Sequence, residues 1–269
     1  MIKINGIVFG NENFRNGEAI YRIPVLSDKE NVITLFYENN KDIGDLVIAN
    51  SYISYHVPNQ NKILIMPYLP YSRMDREITD QIFTLKYFAD FLNGMNFHKI
   101  FVADPHSKVS SELIKNLEEI DIQSLIISEV IPQIDIDFIM FPDKGARDKY
   151  TNKYPELSQT YKIIYGQKKR DLANNGKIIE YNIIADGFDL KDKAVLIIDD
   201  ISSFGSTFIH ASTALKENGI KKVYLFVTHA EETILKGNLL DSDYVVKVFT
   251  TNSVLRSLSH PNLIVFDIF

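Results

Sequence analysis

The sequence predicts an α/β protein with two domains, each built on a mainly parallel sheet that is flanked by helices. Residues 63–66 and 194–198 are short, unbroken apolar runs, as in strands that are buried on both faces of a parallel sheet. A polar loop and an amphipathic segment follow each run, which is the order of a βαβ unit. The chain has 269 residues, 45% of them hydrophobic, and this is enough for one large core or two medium ones.

The first half contains one complete unit of this kind. After the strand at 63–66, residues 68–80 form a predicted polar loop and residues 81–92 a predicted helix. The apolar spacing predicts that this helix buries Ile82, Leu85, Phe88, Ala89 and Leu92. A second strand at 100–103 then leads into Asp104-Pro105-His106.

The second half repeats the order. The strand at 194–198 is followed by a loop rich in glycine and serine, by a helix over 207–217 and by a strand at 223–227 that leads into His229. In both halves an Asn-Gly pair follows the helix. The repetition favours two similar domains, although any two βαβ units share this order.

We place the two domains at residues 1–133 and 134–269. Within the second, residues 166–178 show no packing pattern and carry the cations Lys168, Lys169 and Arg170. We predict that this segment is an exposed, mobile loop.

The composition excludes several classes of function. The chain has 29 basic and 35 acidic residues and a net charge of −6, which argues against general binding to nucleic acid or to a membrane surface. No apolar stretch approaches the roughly 20 residues that cross a bilayer. The absence of cysteine excludes disulfides, thiolate metal sites and a cysteine nucleophile. We expect a cytoplasmic protein without nucleic-acid or membrane partners.

The strongest functional pattern follows the strand at 194–198. Two acids, Asp199 and Asp200, come first, and a short polar loop then leads into a helix. The loop and helix start supply the candidate ligands Ser202, Ser203, Phe204, Gly205, Ser206 and Thr207. Backbone N–H groups at a helix start suit a phosphate, and the acids can accept hydrogen bonds from sugar hydroxyls or hold a metal through water. Together they indicate a phosphorylated ribose, with an ordinary helix cap as the structural alternative.

This stretch resembles the phosphoribosyl-diphosphate (PRPP) binding motif of type I phosphoribosyltransferases and of ribose-phosphate diphosphokinases, the PRPP synthetases. Further segments resemble synthetase motifs and occur in the same order along the chain. They are residues 14–18 (FRNGE), 67–76 (PYLPYSRMDR), 104–106 (DPH), 142–146 (PDKGA), 168–170 (KKR) and 251–253 (TNS). The resemblance therefore implies two type I phosphoribosyltransferase-like domains and a synthetase type of reaction.

In that family, ATP gives its β,γ-diphosphoryl group to the anomeric hydroxyl of ribose 5-phosphate, and AMP leaves. The resemblance implies a Mg²⁺ cofactor held by His106 and Asp143, with His106, Lys168 and Arg170 acting on the transferring phosphates. The implied ATP-binding residues are Phe14, Asn16, Glu18, Arg73, Met74 and Arg76. Asp199 and Asp200 would bind the ribose hydroxyls. A homo-oligomer, a dimer or larger, is also implied, with the segment at 14–18 reaching towards a neighbouring subunit.

Most of these residues also have a structural interpretation. The cations at 168–170 could form a solvated charge run, His106 could be structural, and Phe14 could belong to a core. Arg73 and Arg76 could pair with nearby acids on the surface. For the whole chain, a phosphoribosyltransferase that consumes PRPP and a non-catalytic partner of a synthetase are the alternatives.

The chain departs from the family at its phosphate loop. Ser203 and Phe204 stand where the family has an acid and a threonine, Met74 replaces a glutamine, and Asn16 replaces an aspartate. Loss of an acid and gain of an aromatic suit an acceptor whose 5-phosphate continues into a diphosphate and a second adenosine. We therefore keep two acceptors open, ribose 5-phosphate and ADP-ribose. The latter would place the protein in NAD salvage.

Overall fold

A computed structural model describes residues 1–10, 12–78, 80–171, 177–256 and 259–269, and only the backbone of residues 170, 171 and 177. The chain divides into two compact units. The first, unit 1, comprises Met1–Asp121 with Phe269, and the second, unit 2, comprises Ile122–Ile268. The predicted domain boundary at 133/134 lies further along the chain, after a π-helical turn at Ile126–Val130 and a 3₁₀ turn at Ile131–Gln133.

Unit 1 contains a mainly parallel sheet. Its strands are β1 (Ile2–Ile4), β2 (Ile7–Phe9), β5 (Glu30–Leu35), β6 (Asn61–Met66), β7 (Lys99–Ala103) and β8 (Leu117–Ile120). They lie in the order β2-β1-β5-β6-β7-β8, and β1 is antiparallel to both of its neighbours. A separate hairpin is formed by β3 (Glu12–Asn13) and β4 (Ala19–Ile20). The helices of this unit are α1 (Lys41–His56), α2 (Thr84–Gly94) and α3 (Val109–Leu113).

Unit 2 is built on a second, larger sheet. Its strands are β9 (Phe138–Phe141), β10 (Lys162–Asp171), β11 (Lys177–Ile184), β12 (Ala194–Ser202), β13 (Lys222–Ala230), β14 (Lys247–Thr251) and β15 (Leu263–Phe266). The order is β11-β10-β9-β12-β13-β14-β15, and all neighbours are parallel except β10 and β11. The helices are α4 (Ile122–Leu125), α5 (Lys144–Lys153), α6 (Pro155–Thr160) and α7 (Ser206–Glu217), with a 3₁₀ helix at Glu232–Lys236. The predicted α/β class with two mainly parallel sheets is confirmed.

Each unit has its own apolar core between sheet and helices. In unit 1, Leu64 of β6 and Val102 of β7 are fully buried against α1 and α2 residues. In unit 2, Ile197 of β12 and Leu225 of β13 are fully buried and pack with Leu215 of α7. None of the helices in the described ranges is long and apolar enough to cross a membrane.

Helix α2 confirms most of its predicted face but begins later than predicted. Leu85, Phe88, Ala89 and Leu92 are buried, as the spacing predicts. Ile82 lies before the helix and is 65% exposed, so its predicted burial was wrong. Residues 78 and 81 form an isolated β-bridge, and helix α2 therefore begins only after it, at Thr84.

The prediction of an unpatterned loop at 166–178 was wrong over the described residues. Residues 166–171 continue β10, and residues 177–178 begin β11, so the segment belongs to an antiparallel hairpin at the edge of the sheet. Residues 166–171 extend β10 past its pairing with β9 and are paired with β11, and charged side chains are common at such sheet edges because they discourage pairing with other chains. Such a strand has no apolar alternation to reveal it in the sequence. Residues 172–176, where the hairpin turns, lie outside the described residues.

Candidate active site

The acidic pair and the phosphate-type loop lie at the C-terminal end of β12. Asp199 and Asp200 belong to the strand itself, which continues to Ser202, and helix α7 begins at Ser206 after a three-residue turn. The backbone N–H groups of residues 203–207 donate no hydrogen bond within the described part of the chain. A helix start with free N–H groups carries a partial positive charge and binds anions.

The hydroxyl groups of this loop divide into two pairs. Ser202 is buried and directs its hydroxyl to the Ser203 carbonyl, while Ser203 Oγ lies 2.9 Å from Thr233 Oγ1. Ser206 and Thr207 form no side-chain hydrogen bond among the described residues. Ser206 and Thr207 are therefore the hydroxyl donors that remain for a ligand, and Ser203 instead holds the loop in place.

The shape of the loop depends on a segment further along the chain. Gly205 has φ +81°, and a Cβ on it would lie 2.6 Å from Leu239 Cδ2. A Cβ on Gly237 would in turn lie 2.2 Å from the Phe204 carbonyl oxygen. Both positions exclude a side chain, so the loop rests directly on residues 237–239. The Phe204 side chain itself is 54% exposed.

The two adjacent carboxyl groups perturb one another. Asp200 is buried and Asp199 is partly buried, and Asp199 Oδ1 accepts the Asp200 N–H at 3.0 Å. Burial, followed by the negative charge of Asp200, raises the pKa of Asp199 well above its usual value. A pair that retains a proton more readily than an isolated carboxylate can both accept from and donate to sugar hydroxyls.

A cleft of about 590 Å³ opens beside the end of β9. It is lined by Asp143, Lys144, Gly145, Tyr165, Gly166, Gln167, Lys168 and Ile184. Asp143 is the N-cap of α5, and its Oδ1 accepts the Ala146 N–H at 2.9 Å. Its Oδ2 pairs with Lys168 Nζ at 2.7 Å. Burial raises the pKa of Asp143, but Lys168 and the Ala146 N–H outweigh that effect and hold the pKa below its usual value.

A tyrosine that the sequence analysis did not single out contacts the residue that precedes Asp143. Tyr181 of β11 donates its hydroxyl proton to the Pro142 carbonyl at 2.8 Å. Burial, then the charges of Asp143 and Asp199, raise the pKa of Tyr181. Because β9 and β12 are paired in parallel, the Asp143 cleft after β9 and the acidic pair of β12 lie at the same edge of the unit 2 sheet. A glycine within a strand can mark a close approach of this kind, and Gly166 of β10, beside the Tyr181 hydroxyl, is the feature of the sequence that could have indicated it.

In unit 1, the structure brings two of the predicted segments together. Ser107 donates its hydroxyl to Asp75 Oδ2 at 2.6 Å, which joins the segment that carries Arg73, Met74 and Arg76 to the one that carries His106. Arg73, Arg76 and His106 are exposed, and Met74 is partly buried.

Both segments also contain an unusual backbone conformation. Tyr71 has φ 63° and Asp104 has φ 36°. Such φ values are uncommon for residues other than glycine and cluster at functional sites.

The remaining predicted ATP-binding residues occupy the β3–β4 hairpin. The Phe14 N–H donates to the Glu18 carbonyl at 2.8 Å, and the Glu18 N–H donates to Asn16 Oδ1 at 3.2 Å. Phe14 is 58% exposed, so the interpretation of Phe14 as a core residue was wrong. Lys41 of α1 fastens the hairpin through Asn13 Oδ1 at 2.9 Å.

The side chains of the site suit a metal ion that takes few ligands from the protein and the rest from water and a substrate. Within the described ranges, no group of three or more His, Asp or Glu side chains converges on a point. Mg²⁺ commonly needs only one or two carboxylates, because it completes its shell with water and substrate phosphates. Asp143 offers one such carboxylate beside a helix start, which fits this mode of binding. His106 lies in unit 1, and its predicted role remains a prediction. The side chain of Arg170 lies outside the described part of the chain.

Comparisons with known proteins support the resemblance. No family model matches the chain. A ribose-phosphate pyrophosphokinase from Sulfurisphaera tokodaii is 26% identical over 252 residues, which cover 90% of this chain and 82% of that protein. One from Saccharolobus solfataricus is 29% identical over 224 residues, which cover 81% of this chain and 75% of that protein.

The fold gives a second comparison. The crystal structure of a phosphoribosylpyrophosphate synthetase from Mycobacterium smegmatis matches with a TM-score of 0.74 and 19% identity. The match covers 97% of this chain and 87% of that one. The predicted fold class is therefore confirmed, and the chain is a homologue of proteins named ribose-phosphate pyrophosphokinase.

We expect the substitution Gly205→Ala to destabilise the chain more than Gly187→Ala. Both glycines have positive φ, +81° and +85°, so both variants carry the penalty of a side chain in the left-handed region, about 1–2 kcal/mol. A Cβ at 187 meets nothing within 4 Å, whereas one at 205 meets Leu239. Overpacking should add about 1–3 kcal/mol at 205, measured by urea unfolding. Equal losses would show that the loop does not rest on Leu239.

We also expect Asp199→Asn to stabilise the protein at neutral pH. The raised pKa means that Asp199 supports the fold when protonated, and that this support is lost as pH rises from the usual aspartate value through the raised one. Asparagine keeps the acceptor for the Asp200 N–H but cannot ionise. The variant should therefore melt at least about 2 °C higher than the parent at pH 7, with the difference shrinking towards pH 4. The exposed Asp135→Asn provides the control, and an Asp199→Asn protein that is less stable at both pH values would contradict the assignment.

Proposed function

We propose that the protein is a Mg-ATP-dependent diphosphokinase that transfers the β,γ-diphosphoryl group of ATP to the anomeric hydroxyl of a 5-phosphorylated ribose and releases AMP. The observation that carries this proposal is the arrangement in unit 2. Free backbone N–H groups, an acidic pair and a cleft with a lysine and a carboxylate occupy one region. These suit a phosphate, a vicinal diol and a transferring phosphoryl group, in that order. The named homologues support the same reaction.

The acceptor sugar is oriented by the end of β12. Asp199 and Asp200 accept hydrogen bonds from the ribose hydroxyls, and the N–H groups of residues 203–207 hold the 5-phosphate with the hydroxyls of Ser206 and Thr207. The anomeric oxygen forms a bond to the β-phosphorus of ATP, and the bond from that phosphorus to the oxygen bridging to the α-phosphate breaks. AMP leaves with that bridging oxygen, and the proton of the anomeric hydroxyl passes to water. Placing the two reactants in line is the main contribution that a protein makes to such a transfer.

Charge stabilisation is the second contribution. Lys168 and Arg170 donate to the phosphoryl oxygens as negative charge shifts towards the leaving group. Asp143 would offer a carboxylate to Mg²⁺, and His106 is the other predicted metal residue; the metal would neutralise charge on the phosphates. The ATP is held by Phe14, Asn16, Glu18, Arg73, Met74 and Arg76, with Phe14 stacking on the adenine.

Two acceptors fit this chemistry. The names of the homologues support ribose 5-phosphate. The exposure of Phe204 favours ADP-ribose, because a ring that is 54% exposed beside free N–H groups offers a stacking surface for a second adenine. The exposure of the ring does not support the alternative, in which Phe204 packs into the core of unit 2. An ADP-ribose acceptor would place the protein in NAD salvage.

We further propose a homo-oligomer in the cytoplasm, a dimer or larger. Phe14, Ile23 and Val25 of unit 1 are 58%, 85% and 72% exposed, and exposed apolar side chains of this kind suit an interface with a second copy. An absence of cysteine fits a reducing compartment.

The proposed function is tested by measuring AMP release from ATP and Mg²⁺ with each acceptor in turn. We expect AMP to form with at least one of ribose 5-phosphate and ADP-ribose, and the matching diphosphorylated sugar to appear in equal amount. Turnover of ribose 5-phosphate alone would remove the extended acceptor. Release of pyrophosphate from PRPP and a nucleobase, without AMP formation from ATP, would replace the proposal with a phosphoribosyltransferase.

Lys168→Ala should reduce turnover far more than ATP affinity. Lys168 lines the cleft and is paired with Asp143, whereas its neighbour Lys169 is exposed. Removing one charge-stabilising donor typically costs about 10²–10³ in kcat, so we expect that loss with a KM for ATP within a few-fold of the parent. Lys169→Ala is the matched control and should change kcat less than about threefold. A rise in KM without a loss in kcat would reduce Lys168 to a binding residue.

A further inference from the structure

Pro142 and Asp143, which follow β9, form a corner that contacts β10 and β11. The Tyr181 hydroxyl donates to the Pro142 carbonyl, and Asp143 follows directly. A Cβ on Gly166 would lie 2.1 Å from that hydroxyl oxygen and 2.5 Å from the Pro142 carbonyl oxygen. Tyr181 can therefore reach Pro142 only because position 166 has no side chain.

Tyr181 and Lys168 act on consecutive groups of this corner. They are directly opposite in the β10–β11 register, and opposite residues in an antiparallel pair project from the same face. Tyr181 binds the carbonyl of Pro142, and Lys168 binds the carboxylate of Asp143 at 2.7 Å. One pair of cross-strand neighbours thus fastens both the backbone and the side chain of the corner to the hairpin.

The direction of the Asp143 carboxylate depends on this backbone. Its two oxygens are already directed by the Ala146 N–H and by Lys168, so a rotation of the peptide before Asp143 would disturb both contacts. Pro142 is buried, and Tyr181 is the donor that its carbonyl has among the described residues. A buried carbonyl that loses its donor is destabilised, and the backbone then moves to find another partner.

We propose that Tyr181 is a positioning residue, which holds the Pro142 carbonyl and thereby aims the Asp143 carboxylate into the cleft. Burial, followed by the charges of Asp143 and Asp199, raises the pKa of Tyr181, so the phenol keeps the proton that it donates to Pro142. The consequence for turnover rests on the proposed function. The positioning itself does not, since it concerns contacts within unit 2.

The first test needs no turnover. Tyr181→Phe keeps the ring and removes only the hydroxyl, and Tyr244→Phe is the control because Tyr244 is partly exposed and forms no hydrogen bond among the described residues. Each protein is treated with an amine-acetylating reagent, and labelling of each lysine is followed by peptide mass spectrometry. Loss of one buried hydrogen bond should raise the labelling rate of Lys168 about 3–10-fold in Tyr181→Phe, because its partner Asp143 is no longer held in place. Labelling of Lys169 should stay unchanged, as should that of Lys168 in Tyr244→Phe.

Two outcomes would overturn the proposal. Unchanged labelling of Lys168 in Tyr181→Phe would mean that the hydroxyl does not position Asp143. An equal rise at all lysines of unit 2 would mean that Tyr181 only stabilises the fold.

A second measurement tests whether the positioning of Asp143 by Tyr181 matters for catalysis. Partners that orient a metal-binding side chain typically contribute about 10–100-fold in metal affinity or activity. With the acceptor that supports turnover, Tyr181→Phe should therefore need about 10-fold more Mg²⁺ for half-maximal rate, with an unchanged KM for the acceptor. An unchanged Mg²⁺ requirement would overturn the catalytic consequence. If the parent protein forms no AMP with either acceptor, the proposed function fails, while the labelling result still decides the role of Tyr181.

Discussion

The burial of β12 between β9 and β13 positions the acidic pair and the phosphate-type loop of unit 2. The strand is paired in parallel on both sides, and its apolar half is inaccessible to water. The same pairing continues through Asp199 to Ser202, so the acids are carried on a rigid strand and not on a flexible loop. Parallel strands end at the same edge of a sheet, and this edge therefore collects the acids of β12 and the corner that follows β9. A buried strand that ends in two carboxyl groups is less stable than one that ends in neutral residues, and the raised pKa of Asp199 expresses that cost.

The parts of the fold that the sequence predicts are those that depend on a local pattern of apolar and polar residues. Apolar runs predicted β6 and β12, and a 3.6-residue period predicted the buried face of α2. The outer part of the β10–β11 hairpin was missed because it extends beyond β9, exposes polar side chains and so lacks the two-residue apolar alternation of a half-buried strand. The burial of Ile82 was wrongly predicted for a related reason. The β-bridge before the helix is a contact between residues 78 and 81, and no local apolar pattern reveals such a contact.

The candidate site divides in the same way. Asp199, Asp200 and the loop after them were found because strand, acids and helix start occur in sequence. Tyr181 was missed because its contact lies across two strands, with Pro142 at a separation of 39 residues. The loop at 203–205 likewise owes its shape to Leu239 and Gly237, which no local pattern connects to it. Motifs therefore identify which chemistry a site performs, and distant packing determines how its groups are held.

The space shared by Gly166 and Tyr181 has an evolutionary meaning. The hydroxyl of one residue occupies the volume in which a side chain of the other would begin. A larger residue at 166 would clash with both the phenol and the Pro142 carbonyl oxygen, and a smaller residue at 181 would leave a cavity beside the glycine. Substitutions at the two sites are therefore epistatic, with effects that do not add. In evolution, position 166 is the more constrained of the two, because the Pro142 carbonyl oxygen excludes a side chain there whatever residue stands at 181.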